Sequence, residues 1–394
     1  MRNKIPHIWN ALWIAVLAGI HFSPAIASIG FLLIALIGVW QLIELRQLKQ
    51  LIPYALLALV LLSLDAVNKV GINNTLQKLQ LYLPWLLLPA MIISFNHYRR
   101  VWMKYIMFWI LPSVWIILAS IGYFIYDYEF YSLMVLESKP IPLYSEVYHI
   151  EFSFLVTIQI FLLLIALKDK SVVKLGGQKF QWILWAILVL GLHILSTRTG
   201  LLAFWIGIAY MGYRQRKSIE VKGRFVLIAL VALISSVIFI PTLKNRVVNT
   251  WEDLSAVVNG DDLNNKSFGQ RWEAWNAASA TWAENFLTGV GSSNLNEAMR
   301  QGYIQNKTDL KTTNQISPHN QYLQWAIEFG LLGLISWLLS VIWILKKSST
   351  NQSWAGLLIM GLVACVFESL FERQAGMIAL ILLAGIIEST SIKK

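Results

Sequence analysis

A chain of 394 residues that is 57% hydrophobic and only 13% charged is not a soluble globular domain. Its formal net charge of +11 would suit a nucleic-acid partner, but the basic residues concentrate in alternate connections between apolar runs, so we expect no nucleic acid. The mean hydropathy of +0.59 and apolar runs of about 15 to 25 residues indicate helices that cross a bilayer.

The apolar runs predict an all-α, polytopic membrane protein with about twelve transmembrane helices. They recur without a repeat, a low-complexity tract or a soluble domain, so residues 1–394 are expected to form a single transmembrane domain. In chain order the predicted spans are 8–23, 25–44, 51–64, 76–95, 101–125, 148–167, 179–196, 199–213, 222–241, 319–345, 353–370 and 374–391.

The N-terminal run superficially resembles a cleavable signal peptide, because basic residues precede an apolar stretch that ends near Ala27. Apolar character resumes at once and continues through Trp40. We therefore expect the first two spans to form a membrane hairpin.

The distribution of Lys and Arg predicts the orientation. Twenty lie at the ends and connections of one side, five lie in the short connections of the other, and seven lie in the long polar segment 242–318. Cytoplasmic connections carry the excess of basic residues, whereas long loops count little. Both termini are expected in the cytoplasm, and 242–318 is expected to be a long loop on the outer face, which would be periplasmic in a Gram-negative cell.

This loop is expected to contain an amphipathic helix from Gly269 to Glu284. Trp272, Trp275 and Trp282 recur at helical spacing on one face, with Ser279 between them. Such an aromatic face suits the surface of a membrane.

The sequence offers no metal site. The six histidines are scattered without ligand spacing, and the single cysteine, Cys365, lies in an apolar run. The acids of Gly260-Asp261-Asp262 have no second, spaced pair and are expected to be solvated. We expect neither a metal nor another cofactor.

Ser196-Thr197-Arg198-Thr199-Gly200 is a tight turn between two spans, and Arg198 is its only charge. An arginine at the membrane edge can simply anchor at the interface by snorkelling. A guanidinium also presents a rigid fork of donors that matches phosphate oxygens, and the neighbouring hydroxyls add donors. We favour phosphate binding.

Arg271 and His319 are ambiguous when each is taken alone. Arg271 could be solvated, or paired with an acid of its own helix. His319 follows Pro318 where a span begins, so it could merely help to start that helix, with Asn320 or Ser317 as the cap.

Taken together, these elements resemble the O-antigen ligase and polymerase family. The resemblance covers about residues 180–345, and the order, sidedness and spacing of its short motifs make it fairly specific. Its elements are Ser196, Arg198 and Gly200 in an outer turn, Arg271 and Trp275 in the loop, Gly289 and Gly291 after it, and His319, Asn320, Tyr322 and Leu323 at the mouth of a span.

The resemblance implies a metal-independent, inverting glycosyltransferase whose donor is a glycan on undecaprenyl pyrophosphate. It implies that Arg198 and Arg271 bind the donor pyrophosphate and that His319 acts in catalysis. The chemistry agrees, because fixed cations stabilise the charge that develops on a leaving pyrophosphate, and an imidazole can accept the proton of an acceptor hydroxyl.

Residues for the acceptor are less defined. Glu151 and His149 open the sixth span and are candidates for orienting the acceptor, as are Asn320 and Tyr322 beside the histidine. Asp65, in an outer connection, is an alternative base.

Three further acids receive structural interpretations. Glu328 lies nine positions after His319, on the opposite face of the helix, and should not orient it. Glu368 and Glu372 lie with Arg373 at the last outer turn, where we expect a structural ion pair.

The expected reaction is ligation, in which a whole glycan moves from undecaprenyl pyrophosphate to lipid A–core among the lipids of the membrane. The alternatives are a polymerase of the same family, then a protein O-oligosaccharyltransferase, then a non-catalytic lipid-glycan transporter. One long outer loop rather than two favours the ligase. The lack of repeats and of charges near the bilayer midplane disfavours transport.

Overall fold

The computed structural model of the protein describes residues 5–97, 105–136, 139–168, 177–215, 224–348 and 352–391. All regular structure in these ranges is helical, which confirms the predicted all-α fold. The helices are α1 (Ile5–Phe22), α2 (Pro24–Glu44), α3 (Ile52–Val67), α4 (Ile72–Leu86), α5 (Leu88–His97), α6 (Met107–Tyr126), α7 (Tyr128–Leu136), α8 (His149–Lys168), α9 (Gly177–Leu195), α10 (Arg198–Gln215), α11 (Arg224–Phe239), α12 (Pro241–Asn259), α13 (Ser267–Glu284), α14 (Leu295–Gln305), α15 (Gln321–Ser348), α16 (Gln352–Phe367) and α17 (Gln374–Ser391).

Each predicted span overlaps a helix of the described ranges. Within those ranges, six segments are long and apolar enough to cross a membrane, or seven if the bent pair α11 and α12 is one span. A multi-pass membrane protein is thus supported, and the count of twelve remains a prediction. So does the orientation, part of whose basis lies outside the described residues: Arg2, Lys4, Arg99, Arg100, Lys104, Lys170, Lys174, Arg216, Lys217, Lys222, Lys393 and Lys394.

Helix α8 lies at the centre of the bundle. Every residue from Glu151 to Leu163 is buried, because α8 packs against α6, α9, α10, α16 and α17. A helix surrounded on all sides is apolar all round, which explains why its sequence has no amphipathic stripe. Its polar residues bond within the bundle, as Gln159 Nε2 does to the carbonyl of Trp109 at 3.1 Å. The first turn of α8 is therefore held firmly at one end of the bundle.

The long loop folds into the three helices α12, α13 and α14 rather than the single predicted one. Helix α12 leaves α11 at 96°. The predicted amphipathic helix is confirmed as α13, but its buried face consists of Ala274, Ala277 and Ala278, which pack on Tyr303 of α14. Of the aromatic face, Trp272 is 42% exposed, whereas Trp282 is partly buried against this small core.

The segment Gly289-Val290-Gly291, which follows α13, packs against a break in helix α15. This helix is interrupted at Gly330, whose φ is 62°. Instead of continuing the helix, the carbonyls of Ile327 and Glu328 accept the amides of Val290 and Gly291 at 2.8 and 2.9 Å. A helix can kink where another group inserts into its ladder of hydrogen bonds, as the backbone amides of the loop do here. The loop is thereby fastened to α15, a short distance along the chain from His319.

Candidate active site

The Ser-x-Arg-x-Gly turn joins α9 to α10 and is pressed against α8. Ser196 ends α9 in the left-handed region, with φ at 49°. A Cβ on Gly200 would lie 2.5 Å from Ser153 Oγ, so only glycine allows this approach of α10 to α8. Thr157 Oγ1 also donates to the Gly200 carbonyl at 3.0 Å. The turn places Arg198 at the end of the bundle to which the loop helices fold back.

Arg198, Arg246 of α12 and Arg271 of α13 form an arginine cluster. Burial, together with the charges of Arg198 and Arg271, lowers the pKa of Arg246 to about 10 against the opposing effect of Asp253. Burial likewise lowers the pKa of Arg198. Asp253 lies 3.7 Å from Arg198 Nη2, longer than a hydrogen bond. The positive charge of the cluster is therefore only partly compensated.

His319 is held in a left-handed conformation, with φ at 44°. Such a conformation is uncommon for a residue with a side chain and is maintained by its surroundings. On one side, Trp275 Nε1 donates to the Pro318 carbonyl at 2.9 Å. On the other, Asn320 Oδ1 accepts the amides of Tyr322 and Leu323 at 3.0 and 3.1 Å, which makes Asn320 the N-cap of α15.

Glu368, in the turn after α16, joins the histidine to the arginine cluster. Its Oε1 lies 2.9 Å from His319 Nδ1, and its Oε2 lies 3.7 Å from Arg271 Nη2. Burial raises the pKa of Glu368, but His319, Arg271 and Arg373 outweigh that effect, so its pKa lies below the usual value. A carboxylate accepts only, so Nδ1 of a neutral His319 carries the proton and Nε2 is free to accept another.

Residues 182–338 match the model of a protein family described as O-antigen ligase. This part of the chain is similar to the O-antigen ligase family. The resemblance drawn from the motifs is confirmed, and the match supports a function of the ligase or polymerase type. No curated protein matches the chain. The family segment contains the arginine cluster and His319, whereas Glu151, Glu368 and Arg373 lie outside it.

Arg246, Asp253 and Glu368 were not predicted as site residues. The expectation of an ion pair within the last outer turn is wrong, because its three charges point to different partners. Glu368 meets His319, Glu372 Oε2 lies 2.6 Å from Lys78 Nζ, and Arg373 Nε lies 3.0 Å from Glu151 Oε1. Glu368 could have been found in the sequence as an acid at the end of an apolar helix, because ionisable residues in such positions usually have a function.

The candidate acceptor-side residues divide into two groups. Glu151 and His149 occupy the first turn of α8, where Glu151 is buried beside Arg373. Asn320 and Tyr322 have structural bonds, since Asn320 caps α15 and the Tyr322 hydroxyl donates to the Leu362 carbonyl at 2.9 Å. A role toward the acceptor stays a prediction for all four.

Two other acids hold the framework of the site. Asp65 accepts the amide of Ser292 at 2.8 Å and its hydroxyl at 2.7 Å, so both carboxylate oxygens fasten the loop. Glu328 pairs with Lys78 at 2.9 Å and accepts from Gln324 at 3.1 Å. As predicted, Glu328 does not contact His319.

Proposed function

We propose that this protein is an O-antigen ligase that transfers a glycan from undecaprenyl pyrophosphate to lipid A–core, with inversion, at the periplasmic face of the inner membrane. The observation that carries the proposal is the arginine cluster beside the His319–Glu368 pair. Arg198 Nε, Arg198 Nη2 and Thr197 Oγ1 are buried and have no hydrogen-bond partner among the described residues. Buried donors without partners cost free energy, and an anion that accepts from them removes that cost.

The arginines suit the leaving group. As the bond from the anomeric carbon to the pyrophosphate oxygen breaks, its electron pair stays on that oxygen. Preorganised cations in a site partly shielded from water stabilise this charge, and each such donor contributes about 10²–10³-fold to the rate. Arg198 and Arg271 would bind the donor pyrophosphate as the family resemblance implies, and Arg246 adds a third cation.

His319 suits the acceptor. The oxygen of an acceptor hydroxyl attacks the anomeric carbon on the face opposite the leaving pyrophosphate, which inverts the configuration. His319 Nε2 accepts the hydroxyl proton, and Glu368 stabilises the imidazolium that forms. General base catalysis of this kind contributes about 10²–10⁴-fold. The proton then passes to water, and undecaprenyl pyrophosphate leaves.

A polymerase would use the same groups, because the two reactions differ only in the acceptor. The short connection between α6 and α8, which holds the nine-residue helix α7, favours the ligase. A polymerase was expected to need a second long outer loop.

Disruption of the gene followed by analysis of lipopolysaccharide tests the proposal. A ligase mutant should lose all long chains while lipid-linked polymer accumulates. Core that carries a single repeat unit would instead establish the polymerase. The purified protein should also consume a lipid-pyrophosphate glycan in EDTA without ATP, because arginines supply the charge stabilisation. If the protein consumes no donor under any condition, the remaining alternative is a non-catalytic transporter of lipid-linked glycans.

A further inference from the structure

A cavity of about 260 Å³ lies at the end of the bundle that carries His319. Its walls come from the ends of α1, α2, α8 and α17, whereas the arginine cluster comes from α10, α12 and α13. Arg373, on the cavity wall, is near enough to Glu368 for its charge to act on that carboxylate. The cavity and the arginine cluster are thus built from different elements, and Arg373 connects the cavity wall to Glu368. Its polar lining residues are Glu146, Tyr148, Glu151, Arg373 and Gln374.

The cavity wall offers a guanidinium held in a fixed position. Arg373 Nε lies 3.0 Å from Glu151 Oε1, and the guanidinium carbon lies 4.6 Å from the centre of the Tyr148 ring. An ion pair and an aromatic face together orient a guanidinium. The side chain of Arg373 is nevertheless 46% exposed, so it can meet a ligand.

Glu151 adds an acceptor of unusual character. It is only 1% exposed, and neither carboxylate oxygen accepts a hydrogen bond among the described residues. A buried carboxylate with a single, imperfect partner is costly, and hydroxyl donors would satisfy it. Gln374 donates to the Pro24 carbonyl at 2.7 Å, which fixes its amide and leaves its oxygen as a further acceptor.

The charges of the wall select the ligand. Two carboxylates, Glu146 and Glu151, and one cation, Arg373, line the cavity, so the wall carries a formal charge of −1 and disfavours a phosphate or a carboxylate. Closely spaced donors and acceptors suit the hydroxyls of a sugar. The volume is below the roughly 300 Å³ at which ordinary ligand pockets begin, so it suits one ring rather than a chain of sugars.

We propose that this cavity is the acceptor subsite and that it binds one uncharged sugar ring of the acceptor glycan. The proposal rests on the proposed function, because it takes His319 as the base that meets the acceptor hydroxyl. The ring hydroxyls donate to Glu151 and Glu146 and accept from Arg373. An acceptor whose corresponding sugar is a uronic acid should be a poor substrate.

Steady-state kinetics of the full-length protein test the subsite, with purified lipid A–core as the acceptor and a glycan on undecaprenyl pyrophosphate as the donor. Glu151→Gln should raise the KM for lipid A–core by about 10–100-fold, the loss expected for a hydrogen bond to a charged group. The KM for the donor should stay within about twofold of the wild-type value, because the donor does not bind in this cavity. Glu129→Gln, which changes an exposed carboxylate on α7 in the same way, is the matched control.

Arg373→Gln keeps the test decisive if Glu151→Gln does not fold, and it should give the same selective rise in acceptor KM. A rise in the KM for the donor, or values equal to those of the control in both variants, would overturn the subsite. If Arg373→Gln changes only the binding of phosphatidylglycerol vesicles, the cavity holds a lipid headgroup and the proposal is wrong. Absence of transfer by the wild-type protein would instead contradict the proposed function.

Discussion

Glu368 is the residue through which the two halves of the candidate site are connected. One carboxylate oxygen meets the imidazole of His319 at 2.9 Å, and the other faces Arg271 at 3.7 Å. A pyrophosphate that binds Arg271 competes with Glu368 for that guanidinium. The charge of the carboxylate would then act on the imidazole alone.

Glu368→Gln should lower kcat by about 10–100-fold with little change in the KM for the donor, on the scale seen when the carboxylate partner of a functional histidine is lost. The amide oxygen still accepts from Nδ1, but the charge that stabilises the imidazolium is gone. Single-turnover rates measure the effect. Glu372→Gln is the comparison, because Glu372 pairs with Lys78 and Tyr82. Equal rates for wild type and Glu368→Gln would remove Glu368 from the mechanism.

Arg198→Lys, Arg246→Lys and Arg271→Lys keep the charge but lose the planar fork, so each should lower kcat/KM by about 10²–10³-fold and weaken donor binding. Arg300→Lys is the matched control, since Arg300 is 54% exposed and pairs only with its helix neighbour Glu297 among the described residues. Donor titration and transfer assays separate binding from rate. If Arg198 merely anchors at the interface, lysine will serve equally well, and normal transfer by Arg198→Lys would establish that.

At the scale of elements, helix α13 positions both halves of the site. Arg271 and Trp275 are four residues apart and therefore lie on neighbouring positions of one face. Arg271 reaches Glu368, while Trp275 donates to the Pro318 carbonyl and packs on Phe367, with ring centroids 6.3 Å apart. The Arg-x-x-x-Trp motif thus fixes the positions of His319 and Glu368 through contacts with a single helix, α13.

Trp275→Phe should keep the packing on Phe367 but lose the hydrogen bond to the Pro318 carbonyl. That bond helps to hold His319 in its left-handed conformation. We expect the free energy of unfolding to fall by about 0.5–1.5 kcal/mol. The rate of transfer should fall by more than this loss of stability explains, because His319 is no longer held in position. Trp272→Phe removes an indole that is 42% exposed on the same helix and should change neither stability nor transfer. Thermal unfolding and transfer assays on both variants decide the question. Unchanged transfer by Trp275→Phe would show that His319 does not need this bond.

The sequence predicts those parts of the site that depend on local spacing. Helix α13, the Asn320 cap and the absence of a bond between Glu328 and His319 follow from periodicity and capping chemistry. The contact of Glu368 with His319 could not be predicted, because it joins residues 49 positions apart. Arg246 lies on α12, whose direction depends on the 96° bend at Pro241. The break at Gly330 likewise requires the pairing with Val290 and Gly291, which no local pattern specifies.

At the scale of the whole molecule, the arginine cluster, His319 and the cavity beside Glu151 all lie at one end of the bundle. The proposed transfer to lipid A–core needs that end to face the periplasm. The excess of Lys and Arg in the connections of the other end predicts this orientation.

Cysteine labelling in intact cells tests the orientation directly. Cys365 is buried, so new single cysteines can be read against a quiet background. Asn259→Cys and Asn306→Cys, at exposed positions of the long loop, should react with a membrane-impermeant thiol reagent. Lys49→Cys, at an exposed position of the connection between α2 and α3, should react only after the membrane is permeabilised. The reverse pattern would place the site in the cytoplasm, away from lipid A–core at the outer face, and would contradict ligation while leaving the arrangement of its residues unchanged.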